Sequence, residues 1–408
     1  MKHRTVVIVD PSVDKMRGHM RRLVASFADG FIASGRDVVV LTNRRYAGPD
    51  FHNCITKRVF TYSSYVDYDP RITATFKEEL SAWSREHGSS DALLVYPTVT
   101  DRIIEGIGEW IGQAPKQFFH VIVMLLEVGV AGKTERPFVV DHDAFERFRA
   151  GFELLAGAGP SVMIAASSNT MASYVRFVCP LPVEEVAPPF SLSNNDPGDP
   201  RPERVEGRGE YRLGLYLGPA AAEKGFYNLP SVIEMIAAAG EADWRGARAI
   251  IHAYGGRQHA DAIRRVLHAV EVAPTGNRFK VRTARDEDGR YERLVRSLDA
   301  VVLAYDEKRY AGKTSGIFWE ARSIGLPVAI PARTWMAMEA LRSPGEAVMI
   351  ESFGARQTFE VAARLAKDRP APATVGLPLS GAAEAARQIL ARVAELEQTG
   401  GPKKPHLN

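Results

Sequence analysis

The chain has 408 residues, 45% of them hydrophobic and 25% charged, with a formal net charge of +3 at pH 7. That length calls for about two domains of ordinary size, and the apolar share is enough to give each its own core, so a chain disordered throughout is excluded. A balance of 52 basic against 49 acidic residues excludes the concentrated basic face of a general nucleic-acid binder, and two cysteines, Cys54 and Cys179, make neither a disulfide framework nor a zinc cluster.

Only five apolar residues precede Asp10, too few for a signal-peptide core. No run approaches the ~20 apolar residues of a membrane span. With two isolated thiols, the expected location is a reducing one, the cytoplasm.

In chain order the pattern alternates strand and helix. Val6 to Val9 is a short apolar strand. Met20, Leu23, Val24, Phe27, Phe31 and Ile32 then repeat at helical spacing up to Gly35, and Val38 to Leu41 is a second strand. The first connecting loop has no G-x-G-x-x-G, so it carries no dinucleotide fingerprint. Arg17, Arg21, Arg22, Arg36, Arg44 and Arg45 gather in this region, as either a solvated polar face or a patch for weak contact with an anionic membrane surface. A helix with Ile72, Phe76, Leu80 and Trp83 on one side follows, then a strand at 92–96, a short helix at 102–111 and an apolar strand at 118–126. A helix at 144–155, a strand at 162–165 and a helix at 170–177 complete the first half. Gly157-Ala158-Gly159 precedes its strand instead of following one, so it is a turn and not a phosphate loop.

Residues 193–209, SNNDPGDPRPERVEGRG, hold three prolines, three glycines and one aliphatic residue, the composition of an exposed linker. It divides a first domain, 1–192, from a second, 210–380. The second domain opens with a strand at 211–217 whose following loop presents Lys224, then a helix at 228–239. A strand at 249–254 ends in Gly255-Gly256, equally a tight βα turn or a platform for a nucleotide base, and a helix spans 258–270. A strand at 347–350, a helix at 355–365 and a last helix at 381–399 follow, before a polar tail, 400–408, with the composition of disorder.

The stretch 299–331, DAVVLAYDEKRYAGKTSGIFWEARSIGLPVAIP, reads as strand, loop, helix, strand. Thr314 or Ser315 serves as the helix N-cap, Ile317, Ala321 and Ile324 form its apolar stripe, and Gly325 is its stop. In an open parallel sheet ligands sit at the carboxyl ends of the strands, and the first N–H groups of a helix have no internal partner, so this start suits an anion. Gly316 lets a phosphate approach the main chain, Lys313 supplies positive charge and Ser315 a hydroxyl. Glu320 lies four positions after Gly316 on the same face, placed to accept hydrogen bonds from ribose hydroxyls. The plainer alternative is an ordinary βαβ unit with a solvated glutamate. No H-E-x-x-H, no Asp-x-Asp at a strand end and no Cys-His cluster is present, so a metal is not expected.

Trp319-Glu320-Ala321 followed by Gly325-Leu326-Pro327-Val328 resembles the "EA…GxPVV" signature of retaining GT-B glycosyltransferases. Leu217-Gly218 followed by Glu223-Lys224-Gly225-Phe226 resembles that family's strand end with its phosphate-binding lysine, Tyr291 to Leu303 resembles its "LY…ADVFVLPS" segment, and Gly18 to Thr42 is similar to its opening helix and second strand. The resemblance implies an α/β fold of two Rossmann-like domains facing across a cleft, with the last helix packing back on the first domain. It also implies transfer of a sugar, with retention and without metal or other cofactor, from a nucleotide sugar of UDP or GDP type on the second domain. The acceptor, mainly on the first domain, is unidentified: a glycan, a lipid-linked compound or a protein.

The same resemblance makes Lys224, Glu320 and His120 the catalytic candidates, His120 as a cleft histidine near the transferred sugar. A lone histidine in an apolar strand also fits a hydrogen-bonded core residue. Gly18, Gly255, Lys313, Thr314, Ser315 and Gly316 join Lys224 and Glu320 as donor-binding candidates. Two positions depart from the family: Gly312 stands where a first glutamate would precede Glu320 by eight residues, and Pro219 stands where an arginine usually accompanies the lysine. A non-hydrolysing sugar-nucleotide epimerase and a degenerate, non-catalytic nucleotide- or glycan-binding protein are the alternatives.

Overall fold

The computed structural model describes residues 4–15, 19–65, 67, 69–87, 92–113, 118–124, 142–158, 161–186, 210–240, 244–283, 290–311, 315–342, 346–371 and 381–399. The linker at 193–209 and the tail at 400–408 lie outside them. The chain forms two compact units, Met1–Ser191 with Leu379–Asn408, and Leu192–Pro378.

The first unit runs β1 (Thr5–Val9), α1 (His19–Ala33), β2 (Asp37–Asn43), β3 (Ile55–Phe60), α2 (Ile72–His87), β4 (Ala92–Tyr96), α3 (Ile104–Gln113), β5 (Phe119–Met124), α4 (His142–Gly157), β6 (Val162–Ala166), α5 (Asn169–Val178) and β7 (Val183–Glu185). Its strands pair in parallel, in the order β3-β2-β1-β4-β5-β6-β7. The central strands are apolar on both faces because helices cover both; every residue of β4, β5 and β6 is buried. The edge strands β3 and β7 carry polar residues, which is why hydrophobic runs do not reveal them: β3 reads ITKRVF and β7 only VEE. The last helix described, α12 (Gly381–Thr399), belongs to this unit. Its buried stripe of Ala385, Ala386, Ile389, Leu390, Val393 and Leu396 packs against α1, and Arg392 pairs with Glu184 of β7 at 2.8 Å.

The second unit runs β8 (Tyr211–Pro219), α6 (Leu229–Ala238), β9 (Ala247–Tyr254), α7 (Ala260–Val272), β10 (Phe279–Arg282), α8 (Arg290–Arg296), β11 (Ala300–Val302), α9 (Gly316–Ser323), β12 (Val328–Pro331), α10 (Trp335–Arg342), β13 (Ala347–Ile350) and α11 (Ala355–Asp368). Its sheet is also parallel, in the order β10-β9-β8-β11-β12-β13. In each unit the chain winds outward from the first strand to one edge and then returns to fill the other side. Each sheet therefore has a topological switch point, between β1 and β4 and between β8 and β11, and that is where the loops above the carboxyl ends part to leave room for a ligand.

Candidate functional site

The β8 to β11 switch point is shaped by its glycines. β8 has an irregular register between Gly214 and Tyr216, and Gly218 takes φ +125°. The Tyr216 hydroxyl donates to the carbonyl of Pro219 and accepts from the N–H of Ala221 at 3.2 Å, which pins the turn leading to the single 3-10 turn Ala222–Lys224. Gly225 follows at φ +77°, and a Cβ there would run into the carbonyl oxygen of Ala304, just beyond β11. Only glycine lets the two loops approach so closely. They are tied by the N–H of Asp306 donating to the carbonyl of Glu223 at 2.8 Å.

This packing sets the position of Lys224. Its Nζ lies 5.5 Å from the ring centroid of Tyr305. The point a Cβ of Gly218 would occupy is 3.7 Å from Lys224 Nζ and 3.4 Å from Cδ1 of Ile317, the second residue of α9. The ammonium group and the first turn of α9 thus both reach the space beside Gly218. Ser315 is the N-cap of that helix, with extended backbone and its Oγ accepting from the N–H of Phe318 at 3.3 Å. The cap engages one first-turn donor; those of Gly316 and Ile317 have no partner within the helix.

One turn further along α9, Glu320 is 4% exposed, and the Tyr291 hydroxyl of α8 donates to its Oε2 at 2.9 Å. A carboxylate removed from water needs such donors. Tyr291 in turn lies 5.7 Å, ring to ring, from His252, which is 5.6 Å from Tyr254 at the end of β9. Tyr305 is 2% exposed and packed 4.4 Å from the ring of Tyr310, yet nothing among the described residues meets its hydroxyl in hydrogen-bond geometry. Burial raises the Tyr305 pKa, Ser315 pulls it the other way as a neighbouring hydroxyl, and the negative potential of Glu320 raises it further, so the phenol stays protonated and able to donate. Together the site offers an ammonium, a helix start, a phenol donor and a buried carboxylate.

Four sequence candidates, Lys224, Ser315, Gly316 and Glu320, come together here. Gly255 lies at the end of the neighbouring strand β9, exposed, and a Cβ on it would meet the His259 side chain at 2.7 Å, so packing of the tight βα turn accounts for the glycine. Gly18, Lys313 and Thr314 lie outside the described residues, as do Arg17 and Gly312. His120 requires a correction. It is the second residue of β5, at the amino end of the strand and away from the edge where ligands sit, and it is 2% exposed. Tyr96, Trp110 and Phe118 surround it, and its Nδ1 is 3.4 Å from the Tyr96 hydroxyl. Burial pushes its pKa down to about 3, so it is a neutral core residue. Three of the clustered arginines also have intramolecular partners: Arg21 donates to the Tyr46 hydroxyl, Arg44 pairs with Glu79, and Arg45 with Asp67. Tyr291 and Tyr305 are the site residues that sequence reasoning missed; the available signal was an aromatic with a polar tip directly after a strand end, at Tyr305.

No protein-family model and no curated protein matches the sequence. Solved structures match it nearly end to end. Sucrose-phosphate synthase from Thermosynechococcus elongatus aligns with a TM-score of 0.63 and 14% identity over 97% of this chain and 98% of that one. A glycosyltransferase from Rickettsia africae aligns at 0.60 and 10% identity over 98% and 100%. Anabaena Alr3699/HepE in complex with UDP-glucose aligns at 0.56 and 13% identity over 97% and 98%. At these identities the likeness is one of fold: α/β, with two Rossmann-like domains of GT-B type.

Proposed function

We propose that the protein is a glycosyltransferase that takes a sugar from a nucleotide diphosphate donor, of UDP or GDP type, bound at the β8 to β11 switch point. The observation that carries this reading is that Lys224 Nζ and the first turn of the Ser315-capped helix α9 both lie beside Gly218, one turn before the buried Glu320. An ammonium and a helix start beside each other form a diphosphate site. As the bond from the anomeric carbon to the phosphate oxygen breaks, negative charge grows on the leaving diphosphate, and both groups hold it more strongly then than in the ground state. The Tyr305 phenol supplies a further donor, and Glu320 accepts from hydroxyls of the donor's ribose or sugar. The binding of UDP-glucose by the similarly folded HepE supports the choice of ligand. Retention follows the family resemblance, and the cationic groups of the site take the place of a metal at the diphosphate, so turnover is expected to survive EDTA.

The test is a melting scan with millimolar UDP, GDP and ADP, followed by incubation with nucleotide sugars to detect slow hydrolysis. A ligand that binds only the native state at a hundredfold excess over its Kd adds about 2.7 kcal/mol, so a transition that none of the three nucleotides moves refutes the site. A second reading is favoured by Gly312 and Pro219, which stand where the family signature has glutamate and arginine. In it the chain holds the nucleotide sugar without transferring it, and nucleotide shifts the melt while no nucleotide sugar is consumed.

A further inference from the structure

The two loops that meet at the β8 to β11 switch point are held in register with each other. The N–H of Asp306 donates to the carbonyl of Glu223 at 2.8 Å, and Gly225 packs so closely on Ala304 that a Cβ would run into its carbonyl oxygen. Glu223 thus faces Asp306 and Gly225 faces Ala304, which leaves Lys224 opposite Tyr305. The side chains meet accordingly: Lys224 Nζ lies over the Tyr305 ring, 5.5 Å from its centroid.

Tyr305 is a rigid platform. It is 2% exposed, and its ring packs against that of Tyr310 with centroids 4.4 Å apart. Its N–H donates to the carbonyl of Leu303 at 2.8 Å, and the N–H of Tyr310 closes the following turn on the carbonyl of Asp306 at 2.9 Å. Lys224 has the opposite character. It is half-buried, and its ammonium sits on a flexible four-carbon stem whose rotamer freedom is lost when a ligand is bound. It is also the only cation in the stretch 219–225, PAAAEKG, so its placement decides how much positive charge this turn can offer. A ring face attracts an ammonium through its quadrupole while carrying no net charge. A carboxylate in the same place would hold the lysine more firmly but would compete with phosphates for its charge.

We propose that Tyr305 is a positioning residue of the donor site: the face of its ring holds the Lys224 ammonium in place for the diphosphate. This rests on the donor-site reading for the ligand, but the hold on Lys224 can be measured in the ligand-free protein.

The full-length protein with either phenylalanine or pentafluorophenylalanine at position 305 is titrated calorimetrically with UDP or GDP, whichever shifts the wild-type melt, each ring with and without Lys224→Gln. Both rings lack the hydroxyl and nearly share a shape, whereas fluorination reverses the charge of the face, so the pair isolates the pull of the ring on the ammonium. With Lys224 present, the nucleotide is expected to bind about fivefold more weakly to the fluorinated form; in the Lys224→Gln background the two rings are expected to bind it alike. Equal affinity of the two rings with Lys224 present overturns the inference. So does an equal loss in both backgrounds, because a ring that only packs acts on the site whatever stands at position 224. In the ligand-free wild type, the ε-protons of Lys224, assigned by their absence from Lys224→Gln, are expected upfield of those of other lysines through the Tyr305 ring current. Unshifted ε-protons overturn the inference whatever binds. Shifted ε-protons in a protein that binds neither UDP nor GDP refute the donor-site reading and leave the hold of Tyr305 on Lys224 standing.

Discussion

Replacing Asp10 by asparagine is expected to stabilise the protein, and by an amount that depends on pH. Burial pushes the Asp10 carboxyl up to about 6 from 3.8, against the smaller opposing pull of hydrogen bonds from Ser12 and Thr98. Between those two values the native state holds a proton that the unfolded chain has already released, so the Asp10 contribution to stability is fully present below about pH 4 and lost as pH rises through about 6. A shift of about two units corresponds to roughly 3 kcal/mol at neutral pH. Asparagine does not titrate, so the stability of Asp10→Asn minus that of wild type should climb by about 3 kcal/mol from pH 4 to pH 7 and then level off. For a unit of this size, at roughly 2–4 °C per kcal/mol, that is a widening of about 6–12 °C in Tm. The assay is paired calorimetric unfolding across that range; every other carboxylate titrates in both proteins and cancels in the difference. A difference curve that is flat between pH 4 and 7 would show that Asp10 ionises as an ordinary carboxylate and that the burial argument fails.

Lys224→Ala and Lys224→Gln should change stability by no more than about 0.5 kcal/mol while kcat/KM falls at least about tenfold, because a charge-assisted contact to a diphosphate is worth roughly 1.5–3 kcal/mol; undiminished turnover would remove Lys224 from the site. His120→Leu should leave turnover within about twofold of wild type whatever it does to the melt, and a tenfold loss with normal melting would return His120 to the chemistry. Gly225→Ala must strain a backbone at φ +77° and push on the Ala304 carbonyl, at a cost of about 2 kcal/mol or more by denaturant unfolding. An unchanged midpoint would show that the two loops can separate freely.

The βα alternation was legible because parallel strands covered on both faces are continuous apolar runs, and because helix stripes and the Ser315 cap are local patterns. What escaped was fixed by contacts distant in sequence. The edge strands β3 and β7 owe their existence to pairing with β2 and β6, not to their own apolar content. Helix α10 buries Trp335, Met336 and Ala337 in a segment whose composition announces no period. In the site, Ser315 and Glu320 were readable from spacing, but Tyr291 reaches Glu320 from 29 residues away; outside it, residue type alone argues against a fully buried aspartate such as Asp10. His120 misled for the converse reason: the apolar neighbours that bury it also make it look exceptional.

The packing of α12 on α1 has a consequence for how the protein is made. The helix that covers part of the first unit follows the second unit in the chain, so the whole of the second unit is synthesised between α1 and its cover. At ~5–20 residues per second, the apolar stripe of α1 waits on the order of tens of seconds for its cover. The second unit, although later in sequence, is thus the first able to complete its core, and the nascent N-terminal unit is the stage at which a chaperone would find exposed apolar surface. Released chains truncated before residue 381 should accordingly be digested within the first unit while the second resists protease.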